Sequence, residues 1–101
     1  MSARIVLDRA RLADVCRRYH IRRLALFGSV LRDDFRPDSD VDVLVEFDPA
    51  RRPGMVQLQI LEEELSSLVG GHRVDMVNPR FLNHRIRHRV LSEAEVQFAE
   101  G

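Results

Sequence analysis

Three aspartates in two short apolar segments are the residues of this chain best suited to chemistry. Asp40 and Asp42 open the segment 40–47 (DVDVLVEF), and Asp75 lies within 73–77 (RVDMV). Because side chains alternate along a β-strand, Asp40 and Asp42 share one face, with Cα atoms ~6.6 Å apart. Aspartate is disfavoured in strands, and adjacent carboxylates repel each other unless a cation lies between them.

These acids have two possible interpretations. If the two strands are neighbours, Asp75 can join Asp40 and Asp42, and three hard oxygen donors describe a site for a divalent ion such as Mg²⁺ or Mn²⁺. Alternatively, the acids are solvated at the start of a strand and Asp75 pairs with an arginine. The strand pattern by itself favours neither interpretation.

A glycine–serine pair, Gly28-Ser29, precedes the acids by ten intervening residues. It follows a predicted strand at 23–27 (RLALF) and opens a predicted helical turn from Ser29 to Asp33. Glycine lets a ligand approach the backbone closely, and N–H groups at a helix start attract phosphate. Together with the acids, the pair predicts a phosphate-binding loop beside a metal-binding strand, which is what nucleotide chemistry requires.

A calcium loop is the rival interpretation of D-x-D-x-D at Asp38, Asp40 and Asp42. The sixth position of that loop is Val43 where an EF-hand needs glycine, and the twelfth is Pro49 where it needs a bidentate glutamate. This alternative is therefore rejected.

Other polar residues have weaker claims to a role. His84 and His88 have the i, i+4 spacing of zinc ligands but no evident third ligand, so a solvated basic helix face is the better interpretation. Arginines of the same helix could contact an acidic partner or RNA. Glu46 lies two steps beyond Asp42 and could act as an auxiliary base, although a solvated strand end explains it as well.

Hydrophobic spacing predicts the elements that must position these residues. Asp8 is a plausible N-cap for the first helix, Gly70-Gly71 ends the second, and Pro79 suits the first position of the third. The pattern predicts helices at 8–20, 55–69 and 79–91, strands at 23–27, 40–47 and 73–77, and a last edge strand containing Val96 and Phe98. This alternation predicts a small α/β or α+β domain.

Length and composition limit the possibilities further. The 101 residues suffice for one domain, 1–101, and the net charge of zero gives no global field for DNA or an anionic membrane. The one cysteine, Cys16, excludes an internal disulfide and is predicted to be a small core residue. The charged opening does not resemble a signal peptide, and no apolar run approaches the ~20 residues of a membrane-spanning helix, so a cytoplasmic protein is expected.

The motif Gly28-Ser29, ten residues, Asp40-Val41-Asp42 resembles the GS-x10-D-x-D signature of the polymerase-β-like nucleotidyltransferase superfamily. The similarity to its minimal nucleotidyltransferases extends through 73–77 to Ile86–Ala94 and covers nearly the whole chain. It implies the nucleotidyltransferase fold, an α+β domain with a small mixed β-sheet and helices packed against it.

The resemblance also implies roles for particular residues. Asp40 and Asp42 match the metal-binding pair, and Asp75 matches the third carboxylate, which completes the site and helps the attacking hydroxyl lose its proton. Gly28-Ser29 matches the loop that holds the triphosphate, and Arg32 matches an arginine with a phosphate-facing or structural role. The implied reaction is transfer of NMP, with AMP from ATP expected, to a hydroxyl with the help of two Mg²⁺ ions or Mn²⁺.

The implied partner is a second protein, because the chain has no obvious acceptor pocket of its own. Minimal nucleotidyltransferases pair with helical HEPN RNase toxins, and some silence the toxin by transferring AMP to its tyrosine. A hetero-oligomer in which this chain is the antitoxin is therefore expected. Neutralisation by occlusion alone, and transfer to RNA or to a small molecule such as an aminoglycoside, stay open, although the intact acids and glycine–serine pair favour an enzyme.

Overall fold

The computed structural model describes residues 5–100 and contains three α-helices and one four-stranded sheet in that range. The helices are α1 (Arg9–Arg18), α2 (Met55–Leu68) and α3 (His84–Glu93), and the strands are β1 (Ile21–Phe27), β2 (Val41–Phe47), β3 (Val74–Val77) and β4 (Glu95–Ala99). Two short 3₁₀ turns, Gly28–Leu31 and Pro79–Phe81, follow β1 and β3.

The sheet has the strand order β3-β2-β1-β4. β1 pairs antiparallel with β2 and with β4, whereas β2 pairs parallel with β3. A parallel pair requires a crossover, and α2 provides it between β2 and β3. The predicted α+β class with a small mixed sheet is therefore confirmed.

The hydrophobic core lies between one face of the sheet and the helices α1 and α2. Val41, Val43 and Val45 of β2 are at most 2% exposed, as alternation along a half-buried strand requires. The helices contribute their buried side chains to the same cluster: Leu12, Val15 and Cys16 from α1, and Leu61, Leu65 and Leu68 from α2.

Local signals explain where α1 and α2 begin and end. The predicted N-cap Asp8 accepts a hydrogen bond of 3.1 Å from the backbone N–H of Arg11. α2 begins after Gly54, whose N–H donates to the side chain of Gln57. It ends before Gly70 and Gly71, which both adopt positive φ, the conformation expected after a helix C-terminus.

The predicted helix at 79–91 is wrong in its start. Pro79 begins a 3₁₀ turn, the chain then extends through Leu82, and α3 starts only at His84 with Asn83 as its N-cap. The proline signal is real but applies to a one-turn helix, since Asn78 caps that turn. The predicted edge strand with Val96 and Phe98 is confirmed as β4.

Among residues 5–100, no helix combines the length and apolar character needed to cross a membrane.

Candidate active site

The pairing of β2 with β3 determines where two of the three aspartates lie. Asp42 and Asp75 are direct partners in the parallel register, so their side chains leave the same face of the sheet side by side. A 2.8 Å hydrogen bond from the N–H of Val41 to the carbonyl of Arg73 holds this register at the start of both strands. The face is opposite to the one that carries Val41 and Val43 in the core.

The loop after β1 brings Gly28 directly against Asp42. Phe27, the last residue of β1, is the register partner of Asp42, and Gly28 then turns the chain with φ of +78°. A Cβ atom built on Gly28 would overlap the Oδ2 atom of Asp42. Glycine is thus required at this position both for its positive φ and for the space that the carboxylate occupies.

Electrostatics at Asp42 reflect this crowding. Burial raises the pKa of Asp42 above its ordinary value, and the negative charges of Asp75 and Asp40 raise it further, whereas the positive charge of Arg32 lowers it. Asp75 and Asp40 therefore each lie within electrostatic range of Asp42. Accumulated negative charge of this kind is what a bound cation neutralises.

Asp40 lies one residue before β2, is exposed, and is positioned by hydrogen bonds on either side of it. On its N-terminal side, the carbonyl of Ser39 accepts from the Nδ1 atom of His72 at 2.9 Å. On its C-terminal side, the N–H of Val41 donates to the carbonyl of Arg73. Both partners belong to the segment that leads into β3, so this segment holds the backbone on each side of Asp40.

The donor set fits a hard divalent cation, because three carboxylates of like charge lie near one another and beside a glycine that leaves them room. As the side chains lie, no group of three or more His, Cys, Asp or Glu residues within 5–100 is close enough to hold a metal ion. The structure therefore brings Asp42 and Asp75 together and holds Asp40 nearby, without drawing the three into one ligand cluster.

The phosphate-loop candidates lie in the 3₁₀ turn that follows β1 and, for Arg32, at the residue directly after it. Ser29 is half-buried, and its carbonyl accepts from the N–H of Arg32 at 2.9 Å. The Arg32 side chain is exposed, and its Nε atom lies 3.3 Å from Asp34 Oδ1. A cavity of about 540 Å³ lies beside this turn and is lined by Gly28, Leu31, Arg32 and the segment 93–95.

Two further cavities lie on the other side of the acids, along β3. The larger, of about 620 Å³, contains Asp40 and Asp75. The smaller, of about 310 Å³, is mostly apolar and extends to Phe81. Leu58 of α2 and Met76 of β3 line both of them.

The chain matches a family of known proteins. The family described as the nucleotidyltransferase domain matches residues 9–96, which is most of the chain. The chain belongs to the nucleotidyltransferase family. The fold, the turn after β1 and the acids of β2 and β3 all lie within the matched range.

Individual relatives agree with this assignment. The nucleotidyltransferase is 40% identical to the protein adenylyltransferase MntA of Thermococcus cleftensis over 76 residues, which is 75% of this chain and 74% of that protein. It is similar to a minimal nucleotidyltransferase of solved structure, with 40% identity, 85% of each chain covered and a TM-score of 0.68. A toxin–antitoxin crystal structure with AMP-PNP shares the fold, with a TM-score of 0.63, 20% identity, and coverage of 93% of this chain and 75% of that one.

The remaining candidates lie away from the acids of this nucleotidyltransferase. Glu46 is the register partner of Arg23, and its Oε2 atom lies 3.7 Å from the Nε atom of that residue. His84 and His88 are exposed on α3, in agreement with the predicted solvated helix face. Sequence reasoning missed His72, because nothing in its neighbourhood in the chain signals a contact to a residue 33 positions away.

Proposed function

We propose that the chain transfers AMP from ATP to a hydroxyl group of a partner protein, a tyrosine of a HEPN RNase toxin, and thereby acts as its antitoxin. The single observation that supports this best is the register pairing of Asp42 with Asp75 next to Gly28. It puts acids suited to a cation beside a turn suited to a phosphate tail. The similar proteins, an adenylyltransferase and a toxin–antitoxin crystallised with AMP-PNP, support the choice of donor and partner.

The proposed reaction makes one bond and breaks one. The acceptor hydroxyl oxygen attacks the α-phosphorus of ATP, the bond from that phosphorus to the β-phosphate bridging oxygen breaks, and pyrophosphate leaves. The hydroxyl proton passes to the carboxylate of Asp75, which faces the reacting centre from the neighbouring strand. Catalysis of this kind depends mainly on positioning and charge neutralisation.

The other residues bind the donor. Backbone N–H groups of Gly28 and Ser29, at the start of the turn, hold the triphosphate tail. Arg32 adds positive charge on the same side. Asp40, Asp42 and Asp75 would hold Mg²⁺ or Mn²⁺, which when bound neutralises the phosphate charge and activates the acceptor oxygen.

The decisive experiment combines the chain, ATP labelled at the α-phosphate, Mg²⁺ and the partner HEPN protein that the proposal requires. We expect label on a tyrosine of that protein and loss of its RNase activity. The variant Asp42→Asn, which keeps the size of the side chain but removes its charge, should lower the labelling rate by about 100-fold or more. Addition of EDTA should have the same effect.

Glu46→Gln is the matched control, because it removes a carboxylate from the same strand at a position that pairs with Arg23. It should label at nearly the wild-type rate. If the RNase is inhibited without any labelling, the chain acts by occlusion and the proposal of transfer is wrong. Labelling that persists in Asp42→Asn would contradict the assigned site.

A further inference from the structure

The order of strands across the sheet implies a side from which the acceptor arrives. Gly28 follows β1, Asp42 lies on β2 and Asp75 lies on β3, so the three are arranged in line from the centre of the sheet to its edge. In phosphoryl transfer, the attacking and leaving oxygens are roughly in line on opposite sides of the phosphorus. With the triphosphate tail on the Gly28 side, the acceptor must approach from the side of β3.

A groove lies on that side, between β3 and α2. Its first part is the 620 Å³ cavity that contains Asp40, Asp75, Arg73 and Glu62. Its second part is the 310 Å³ apolar cavity that extends to Arg52 and Phe81. Because Leu58 and Met76 line both parts, the groove is continuous from the carboxylates to the apolar end.

The apolar end of the groove has a large exposed aromatic side chain in its lining. Phe81 is 82% exposed and lines a cavity that is mostly apolar. An exposed apolar surface of this kind is typical of a site that another protein covers. Each part of the groove also contains an arginine, Arg73 in the first and Arg52 in the second.

We propose that this groove seats the segment of the partner protein that carries the acceptor hydroxyl, an inference that rests on the proposed function. The hydroxyl enters the part that contains Asp75, and a neighbouring apolar side chain fills the part next to Phe81. An acidic residue of the segment pairs with Arg52 at the apolar end, whereas the first part has Asp40, Glu62 and Asp75 beside Arg73 and therefore no net positive charge. The occupant is thus an extended stretch with a hydroxyl-bearing residue, an apolar residue and an acid beside the apolar residue.

The test uses Phe81→Glu, a change at an exposed residue that leaves the core intact. We expect the second-order rate of AMP transfer to the HEPN protein to fall by about tenfold or more, because the complex loses an aromatic side chain that the partner would bury. Binding of Mg²⁺ and a fluorescent ATP analogue should stay within about twofold of wild type. Arg52→Glu should weaken transfer in the same way and show less dependence on salt.

Ile86→Glu is the matched control, since Ile86 is 53% exposed on α3, away from the groove residues. It should transfer at nearly the wild-type rate. The inference is overturned if Phe81→Glu leaves transfer unchanged, if Ile86→Glu weakens it equally, or if Phe81→Glu weakens nucleotide binding instead, which would make the apolar cavity a base pocket. If the wild type fails to label the partner, the proposed function is wrong. The groove is then tested by the affinity of the protein complex, which Phe81→Glu should weaken more than Ile86→Glu does.

A separate observation assigns a positioning role to His72. Its Nδ1 atom donates to the carbonyl of Ser39, the residue before Asp40. The ring of Phe35 lies 4.8 Å from the His72 ring between centroids, and Ser66 donates to the His72 carbonyl at 2.7 Å. His72 is therefore itself held on two sides while it fixes the backbone that presents Asp40.

We infer that His72 sets the position of the Asp40 carboxylate for cation binding. His72→Phe keeps a ring beside Phe35 but removes the donor, whereas His72→Asn places an amide N–H near the position of Nδ1. The measurement is Mn²⁺ affinity by electron paramagnetic resonance, together with thermal unfolding. His72→Phe should weaken Mn²⁺ binding by about tenfold, as loss of a residue that orients a ligand does, and His72→Asn should restore most of it.

A purely structural role would give a different result. His72→Phe would then lower the melting temperature while the folded protein bound Mn²⁺ with unchanged affinity, and that result would overturn the inference. Equal loss of Mn²⁺ affinity in both variants would also contradict it, because the donor would then be irrelevant.

Discussion

Asp42 is the residue at which the demands of the site oppose those of the fold. Burial and the charges of Asp75 and Asp40 raise its pKa, so the folded protein binds a proton at Asp42 more tightly than the unfolded chain does. Its contribution to stability is therefore full only below the unfolded-state pKa of roughly 3.9 and is lost as the pH rises through the higher folded-state pKa. At neutral pH without a cation, the ionised carboxylate destabilises the fold.

Asp42→Asn should therefore stabilise the protein in EDTA at pH 7. We expect a gain of up to about 1 kcal/mol in the free energy of unfolding, limited because water partly screens the side chain. The gain should shrink as the pH is lowered towards 4, and Mg²⁺ should stabilise the wild type more than the variant. Urea titrations at several pH values with and without Mg²⁺ test this, and a variant less stable than wild type in EDTA would contradict it.

Gly28 can be tested against another glycine with the same backbone strain. Gly28→Ala should cost about 1–2 kcal/mol for positive φ, and displacement of the Asp42 carboxylate should add to it and abolish transfer. Gly71 has φ of +84°, but nothing lies within 4 Å of a Cβ atom added there. Gly71→Ala should therefore lower the free energy of unfolding only by the cost of positive φ. Chemical denaturation measures both, and equal losses of stability would mean that the Asp42 contact is unimportant.

Two helix caps of similar chemistry should differ in their effect on the whole domain. Asp8 caps α1, which contributes Leu12, Val15 and Cys16 to the core, whereas Asn83 caps α3, which has no buried residue. Asp8→Ala should lower global stability by about 1 kcal/mol. Asn83→Ala should fray α3 in hydrogen exchange but leave the global unfolding midpoint nearly unchanged, and an equal shift of that midpoint would show that α3 is part of the cooperative core.

The elements that the sequence predicts well are those whose signals are local. Asp8, with its capping side chain, and the glycines after α2 mark helix ends by conformational preferences of single residues. Pro79 also gives a correct local signal, but it cannot tell a one-turn 3₁₀ helix from a longer α-helix. Asn83, the true cap of α3, carries a separate N-cap signal four residues later.

For the candidate site too, the sequence predicts the features that depend on local signals and misses those that depend on distant contacts. The types and spacing of Gly28, Asp42 and Asp75 predict phosphate and metal chemistry, and alternation predicts which face each acid uses. The overlap of a Gly28 Cβ with Asp42, and the bond from His72 to Ser39, arise only when distant segments meet. Such contacts depend on register and packing, which local patterns do not encode.

At the level of the whole molecule, Cys16 reports on the integrity of the core. It is fully buried, and burial raises the pKa of its thiol to about 12. A folded-state pKa above the unfolded value of about 9 means that stability is retained below pH 9 and lost as the pH rises towards 12, at up to about 1.4 kcal/mol per pH unit. The thiol should thus stay inert to a disulfide reagent at pH 8 and react fully in urea.

The readout is the rate of thiol modification against urea concentration, compared with the unfolding curve. The two transitions should coincide, because exposure of Cys16 requires separation of α1 from the sheet. Modification well before unfolding would show that α1 detaches alone. Cys16→Ala should remove the thiol's share of the stability loss at alkaline pH.

The four-residue strand β3 has one neighbour in the sheet, and it carries one of the three acids. A short strand with a single partner is the kind of segment that opens by local fluctuation while the rest of a domain stays intact. Each such opening would remove Asp75 from Asp42 and disassemble the reactive centre without unfolding the protein. The proposed chemistry therefore requires β3 to stay paired with β2, and a molecule that lies along the outer edge of β3 would favour the paired arrangement.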